Sequence, residues 1–266
     1  MMKHNNIIYE SFHDKTDKVV FFQSQHEPTI AHFHRCIEIL YVIDGALDCN
    51  IDGENFCAQK DDIIFVHKCG IHQLYPAPDY TNYVLIIGQR YSDDFTSFFQ
   101  TKTLPAHLKD KAFNYSLMQY FESLNKITNT TSEMVKKGYI QIILGSLLSH
   151  YQLVPVKASL KISIIIDALN YIDEHFTQPI SLDDISNKFG YNKYYFSRLF
   201  NSYIGENLNN YINMVRIQNL ISSAKKSDNP NLSDLVFLNG FDSMTTFYRN
   251  FYKYYDRPPK EIFKEI

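Results

Sequence analysis

His32, His34 and Glu38 form the pattern His-x-His-x-x-x-Glu, and His72 lies further along the chain. Imidazole nitrogens and carboxylate oxygens bind divalent transition ions, and the same groups hold polar organic ligands through hydrogen bonds. In an extended strand side chains alternate, so His32, His34, Cys36 and Glu38 share one face. With His72 arriving from another strand, that face could close around one guest. Asp61-Asp62 and the run His67-x-Cys69-x-x-His72 add further donors, including a soft sulfur ligand or a redox-sensitive thiolate.

A second constellation lies in the last third of the chain. Leu182, Asp184, Ile185, Gly190 and Tyr191 recur fifty positions later as Leu232, Asp234, Leu235, Gly240 and Phe241. Phe196, Arg198 and Phe200 recur at an offset of fifty-one as Phe247, Arg249 and Phe251, so the second copy has gained one residue in its turn. Apolar residues at helical spacing flank a glycine able to take a positive φ, which reads as helix, turn, helix. In the first copy Phe196, Leu199, Phe200 and Tyr203 form a buried stripe, leaving Asn192, Lys193, Tyr194, Ser197 and Arg198 outside. In the second, burial of Phe247, Phe251 and Tyr254 leaves Ser243, Met244, Thr245, Tyr248 and Arg249 to face a partner. Hydroxyl, amide, ammonium and guanidinium groups at a helix start are what base edges and phosphates accept. Two such faces in register point to duplex DNA.

These groups need elements to carry them. Between the copies, Glu206 to about Ala224 contains no proline or glycine and places Leu208, Tyr211, Ile212, Val215 and Leu220 on one side. Such a helix is roughly 28 Å long, somewhat under one turn of B-DNA, so it could seat the two units in successive major grooves. Ser227 to Asn231, with Pro230, should end it. The first ninety residues carry short β-rich runs at 19–22, 38–43, 63–66 and 83–87, with turn signals at Asp44-Gly45 and Asp52-Gly53. That is the pattern of an antiparallel β-barrel or jelly roll. Helical stretches follow at about 117–127 and 133–151. The second carries a strip from Tyr139 to Tyr151, including Ile143 and Leu147, wide enough to cover the barrel and offer a dimer edge. Gln152 to Ser159 reads as a linker.

The repeat, with Gly205, Tyr211-Ile212, Arg216 and Pro259, resembles the AraC/XylS family of transcription regulators over about 162–263. Asp256, Ile262 and Val236 stand where that family usually has glycine, tyrosine and alanine. His32, His34, Glu38 and Gly45 resemble the first cupin motif. The second cupin motif is partly kept, with Asp61, His67 and Cys69 in place of glycine, proline and glycine and His72 retained. His26 occupies the position of an expected glycine.

The resemblance implies an α+β multidomain chain: a cupin-like β-barrel (jelly roll) with helices over 1–152, a linker at 153–160, and an all-α domain over 161–266. The two helix-turn-helix units fall at about 182–203 and 232–254. The first domain is expected to sense a small molecule, often a sugar, and to dimerise. His32, His34, Glu38 and His72 then line the effector site, with metal ligation by the same four residues as the alternative. The all-α domain is expected to bind promoter DNA, with RNA polymerase a further partner and no catalytic activity. A cupin metalloenzyme is the competing function class, and the in-register repeat favours the regulator.

Composition sets bounds on this reading. In 266 residues, 45% hydrophobic, there is material for two cores. The net charge is −3, and from Leu160 onward twelve Lys and Arg face twelve Asp and Glu, so DNA affinity has to come from placement of Lys193, Arg198, Arg249, Lys253 and Arg257. Cys36, Cys49, Cys57 and Cys69 form no Cys-x-x-Cys pair and are expected as small buried hydrophobes. The opening Met1-Met2-Lys3-His4-Asn5-Asn6 leads into no secretory apolar segment, and no stretch suits a bilayer, so a cytoplasmic location without membrane contact is expected. No nucleotide-binding glycine loop, Walker loop or serine elbow occurs, and no cofactor is expected.

Overall fold

The computed structural model describes residues 8–10, 19–25, 28–92, 95, 101–128, 131–156, 160–225 and 231–264. His26 and the 227–230 part of the expected helix terminator lie outside them. The chain divides into two units, Met1–Ala158 and Ser159–Ile266.

The first unit holds strands β1 Ile8–Tyr9, β2 Val19–Ser24, β3 His32–Phe33, β4 Ile37–Asp44, β5 Ala46–Ile51, β6 Glu54–Gln59, β7 Ile63–Val66, β8 His72–Pro76, β9 Thr81–Ile87, β10 Lys102–Thr103, β11 His107–Leu108 and β12 Val154–Pro155. Its helices are α1 Gln89–Ser92, α2 Lys111–Asn125 and α3 Glu133–His150. One sheet runs β1-β3-β8-β5-β6 and a second β11-β7-β4-β9-β2, with every pairing antiparallel except β1 with β3. The jelly roll thus appears as two antiparallel sheets rather than one closed ladder among the described residues.

Alternation along β4 sorts the core. Leu40 and Val42 join Leu47, Cys49, Ile51, Leu74, Val84 and Ile86 between the sheets. Ile37, Ile39 and Tyr41 face the other way, onto Phe121 of α2 and Ile140, Ile143, Leu144 and Leu147 of α3. The second sheet is therefore apolar on both faces, as a sheet covered on both sides requires. Asp52-Gly53 joins the paired strands β5 and β6, with both residues at positive φ (50° and 82°), the backbone that a two-residue hairpin demands. Asp44-Gly45 instead turns the corner from one sheet to the other.

Three readings need correction here. Helix α2 begins earlier than expected because the Asp110 side chain caps it by accepting from Phe113 N. Ile143 and Leu147 are fully buried within this chain, so they are not a dimer edge; the exposed apolar residues of α3 are Met134, Val135 and Ile142. The expected linker begins with β12, which pairs with β10, while 157–159 lie outside the described residues.

The second unit contains α4 Leu160–His175, α5 Leu182–Lys188, α6 Lys193–Ile204, α7 Leu208–Lys225, α8 Leu232–Leu238, α9 Met244–Phe251 and α10 Pro259–Lys264. Helix α7 is not an exposed rod. Tyr211 meets Phe200 of α6 edge-on at 5.7 Å, whereas Ile217 and Leu220 share a core with Val236, Phe241, Phe247, Phe251 and Ile262. Met214 and Ile217 are buried besides the five residues expected, so both helix pairs pack onto one central helix. Among the described residues no helix is long and apolar enough to cross a membrane.

Candidate DNA interface and candidate ligand site

The two helix pairs are built alike at atomic level. A glycine at positive φ follows each first helix, Gly190 at 72° and Gly240 at 85°. Tyr191 N then donates to Ser186 O, and Phe241 N to Val236 O, closing each C-terminus the same way. The second helices start from N-caps fifty-one residues apart. Asn192 accepts from Tyr194 N and Tyr195 N, and Ser243 accepts from Thr246 N. The inserted residue is Asp242, in the turn. Helix α9 is shorter than α6 and ends at Phe251, so Tyr254, expected as part of its stripe, lies beyond it and is half-buried.

The ten candidate contact residues divide into three groups. Tyr194, Arg198, Thr245 and Arg249 are exposed, Tyr194 by 73%. The side-chain oxygens of Asn192 and Ser243 serve their own helices as caps. Met244 and Tyr248, expected to face outward, are half-buried against the second core, because 244, 247, 248 and 251 fall at i, i+3, i+4 and i+7 on one face of α9. Ser197 is half-buried, and Lys193 Nζ lies 2.8 Å from Asp183 Oδ2 on the preceding helix. Three further aromatics on or beside the same helix pairs, Tyr195, Phe237 and Tyr252, are exposed and were not anticipated. Their only signal was aromatic excess beyond what the buried stripe needs.

The turn regions are pinned from behind. Arg216 of α7 donates through Nε to Phe176 O at 2.7 Å and through Nη2 to Gln178 O at 2.9 Å, and its guanidinium lies 5.8 Å from the Phe241 ring centre. A Cβ on Gly240 would stand 2.7 Å from Thr177 Cα.

In the first unit the expected donors converge, by a different route. The chain leaves β3 after Phe33, bends through 34–36 and enters β4 in the other sheet, so 32–38 is not one extended strand. His72 on β8 is paired with His32 on β3, and Glu38 is opposite, on β4. His34 Nε2 is 2.9 Å and His72 Nε2 3.2 Å from the same Glu38 oxygen. Burial alone would raise the Glu38 pKa, but the two imidazoles hold it well below the usual carboxylate range. His32 lies beside His72 with ring centres 3.9 Å apart and the rings tilted by 57°, and its Nε2 is 3.9 Å from Glu10 Oε1. Burial and the neighbouring His72 lower its pKa.

The second donor group does not join this cluster. His67 bonds Asp52 Oδ2 at 2.7 Å and the Lys68 carbonyl at 2.8 Å, so both ring nitrogens are engaged elsewhere. Asp61 accepts from Tyr41 Oη at 2.7 Å, and Asp62 is 2.9 Å from His107 Nε2. Cys36, Cys49 and Cys69 are buried, but Cys57 is exposed, against expectation, because it lies on the outward register of β6 opposite Asp48. A hydrogen bond to Asp48 pushes its thiol pKa up. One buried residue was missed altogether. Asn82 on β9 is fully buried, and neither its amide nitrogen nor its oxygen has a hydrogen-bond partner among the described residues. It shares the inter-sheet register of Val84 and Ile86, and Ile86 pairs with Glu38. Asn82 therefore lies about 13 Å along the strand from the histidine–glutamate level.

Residues 19–133 match the family model described as an AraC-like ligand binding domain, and residues 185–265 match one described as a helix-turn-helix domain. The chain is 33% identical over 98 residues to the regulatory protein SoxS of Escherichia coli (strain K12), covering 37% of this chain and 91% of SoxS. It is likewise 33% identical over 91 residues to the multiple antibiotic resistance protein MarA of Salmonella typhimurium, covering 34% of this chain and 71% of MarA. The solved structure of ToxT from Vibrio cholerae O395 aligns over 93% of this chain and 96% of its own, at 14% identity and a TM-score of 0.40. The chain belongs to the AraC/XylS family of DNA-binding transcription regulators, with an AraC-like ligand-binding domain ahead of a helix-turn-helix domain.

Proposed function

We propose that residues 161–266 read a specific promoter sequence through α6 and α9, and that residues 1–152 sense a small effector between the two sheets and dimerise the protein. The observation that carries the DNA reading is the matched pair of capped helices, Asn192 and Ser243 at the same structural position, packed on one α7. That helix is about 27 Å long, which suits two adjacent major-groove segments on one face of the duplex. Arg198, Arg249, Thr245 and Tyr194 are the side chains available for bases or phosphates. Lys193 joins them by exchanging Asp183 for a phosphate.

The effector is a sugar or another small polar molecule. His32, His34, Glu38 and His72 supply groups at one end of the inter-sheet space, Asn82 supplies an amide at the other, and Leu40 and Val84 are apolar between them. The dimer edge moves to the outward residues Val135 and Ile142 of α3. The protein acts in the cytoplasm, contacts RNA polymerase at its promoters and performs no catalysis.

The test is selection of bound duplexes from a random DNA pool by the full chain, with and without a panel of sugars. A conserved motif spanning two adjacent groove segments, with occupancy altered by one sugar, is the expected result. Binding that shows no sequence preference and no change with salt would overturn the DNA reading.

A further inference from the structure

Arg216 lies on α7 between the residues that pack on the two helix pairs. Tyr211 before it meets Phe200 of the first pair, and Ile217 and Leu220 after it lie in the core of the second. Its half-buried guanidinium engages three groups at once. Nε donates to Phe176 O at 2.7 Å, Nη2 donates to Gln178 O at 2.9 Å, and the Phe241 ring centre lies 5.8 Å away. Phe176 and Gln178 stand in the loop that leads into the first pair, just ahead of the Ser181 capping box of α5. Phe241 stands in the turn of the second pair, just ahead of Ser243, the cap of α9.

The same two segments also press on one another. A Cβ on Gly240 would stand 2.7 Å from Thr177 Cα and 2.8 Å from Phe176 O, so the second turn lies directly on the loop whose carbonyls Arg216 holds. The repeat supplies the control. At Gly190, the matching turn of the first pair, a Cβ would meet nothing within 4 Å. The contact is therefore no requirement of a helix-turn-helix pair. It is a tie between one pair and the approach to the other.

Stability alone is a poor reason for an arginine here. Burial lowers its pKa, with Asp242 opposing the shift, so the charge is held against a desolvation penalty that an apolar side chain would not meet. An apolar side chain cannot span two carbonyls in a fixed plane, whereas the rigid guanidinium fork does. Such a group specifies geometry.

We propose that Arg216 is a positioning residue that fixes the separation and relative orientation of α6 and α9, and thereby the spacing between the two DNA segments that the protein accepts. It acts through the two reading helices and not by touching a base. Each base pair inserted between two half-sites moves the second by about 3.4 Å along the duplex and about 35° around it. Heads locked together reject that change, while heads joined only through α7 accommodate it by rocking about the helix. The proposal rests on the reading that α6 and α9 both enter the groove, and it names the residue that sets their spacing.

The experiment uses the full chain and the duplex motif recovered from the random pool, with the spacer between its two conserved segments lengthened or shortened by one and by two base pairs. Wild type should lose at least about tenfold in affinity for a one-pair change. Arg216→Met keeps the apolar stem and removes the fork, so it should bind the best spacing more weakly and give a flat profile across the series. Arg216→Lys keeps the charge without the planar fork and should fall between the two. Circular dichroism and urea unfolding check each variant, because lost stability by itself lowers binding to every spacer alike. A folded Arg216→Met with the wild-type spacing profile overturns the proposal, and if that variant does not fold, a wild-type profile in Arg216→Lys overturns it. A wild type whose selected motif has a single conserved segment removes the two-headed reading and the proposal with it, so the two failures are told apart.

Discussion

Asp183 and Lys193 stand on the two helices of the first helix-turn-helix pair and meet at 2.8 Å in an ion pair open to solvent. The pair closes the front of the turn in the free protein and occupies the one lysine at the start of the first reading helix. Both partners are largely exposed, so the pair is cheap to break and a phosphate can replace the carboxylate. Asp183→Asn should therefore strengthen DNA binding by about two- to fivefold at low salt, the gain fading as salt rises. Titration of a labelled duplex at several salt concentrations measures this. Weaker binding by the variant would mean that the ion pair presents Lys193 rather than sequestering it.

Arg198 and Arg249 occupy matching positions on α6 and α9, and both are exposed. Replacing either by Ala should cost roughly 1–3 kcal/mol of binding if the guanidinium contacts a base. Base contact shows as relaxed preference at one position of the selected motif, while phosphate contact shows as a uniform loss across sequences. If neither variant changes affinity or preference, these helices are not the reading surface.

The repeat equates Gly190 with Gly240, but their surroundings differ. At Gly190 a Cβ would meet nothing within 4 Å, so Gly190→Ala carries only the cost of a positive φ, about 1–2 kcal/mol. At Gly240 the same Cβ would press on Thr177 Cα and the Phe176 and Thr177 carbonyl oxygens at 2.7–2.8 Å. Gly240→Ala should accordingly lower stability well beyond Gly190→Ala in urea unfolding. Equal losses would show that the loop after α4 yields easily.

That contrast marks the limit of what the sequence tells. The helix-turn-helix grammar was readable because turn glycines, caps and apolar stripes are local signals at fixed spacing. The approach of Thr177 to Gly240, and the Arg216 bonds behind it, join segments far apart in sequence and leave no local trace. In the first unit His34, Glu38 and His72 lie together, although the single strand expected to align them is broken at 34–36. They meet because the bend carries His34, β4 carries Glu38 and β8 carries His72, so alternation along one strand is not what groups them. Asn82 was passed over because a lone asparagine before Tyr83 resembles any strand-edge polar residue, and only the register of β9 places it inside. Met244 and Tyr248 were read as outward because the stripe was drawn through Phe247, Phe251 and Tyr254, although 244, 247, 248 and 251 are themselves at helical one-face spacing.

Helix α3 separates assembly from folding. Leu147 lies in the core against the second sheet, and a glutamate there should unfold the first unit or cost roughly 3–5 kcal/mol. Ile142 is exposed by 43%, so Ile142→Glu should leave the melting temperature nearly unchanged while shifting sedimentation from dimer to monomer. A dimer that persists in folded Ile142→Glu would move the interface off this helix.

Asn82 gives the sharpest test of the effector site, because its effects on stability and function should have opposite signs. A fully buried amide with no hydrogen-bond partner among the described residues carries a desolvation penalty of about 1–3 kcal/mol. Leucine has nearly the same shape without the polar atoms. Asn82→Leu should therefore raise the stability of the effector-free protein by about 1 kcal/mol or more in denaturant unfolding. The same variant should lose the effector-dependent change in DNA occupancy, because a ligand acts only through its differential affinity for two states of the protein, and its partner at this end is gone. Effector-free DNA binding should be unchanged. A destabilised Asn82→Leu would show that the amide has a structural partner, and a stabilised variant with a full effector response would place the effector away from this end of the inter-sheet space.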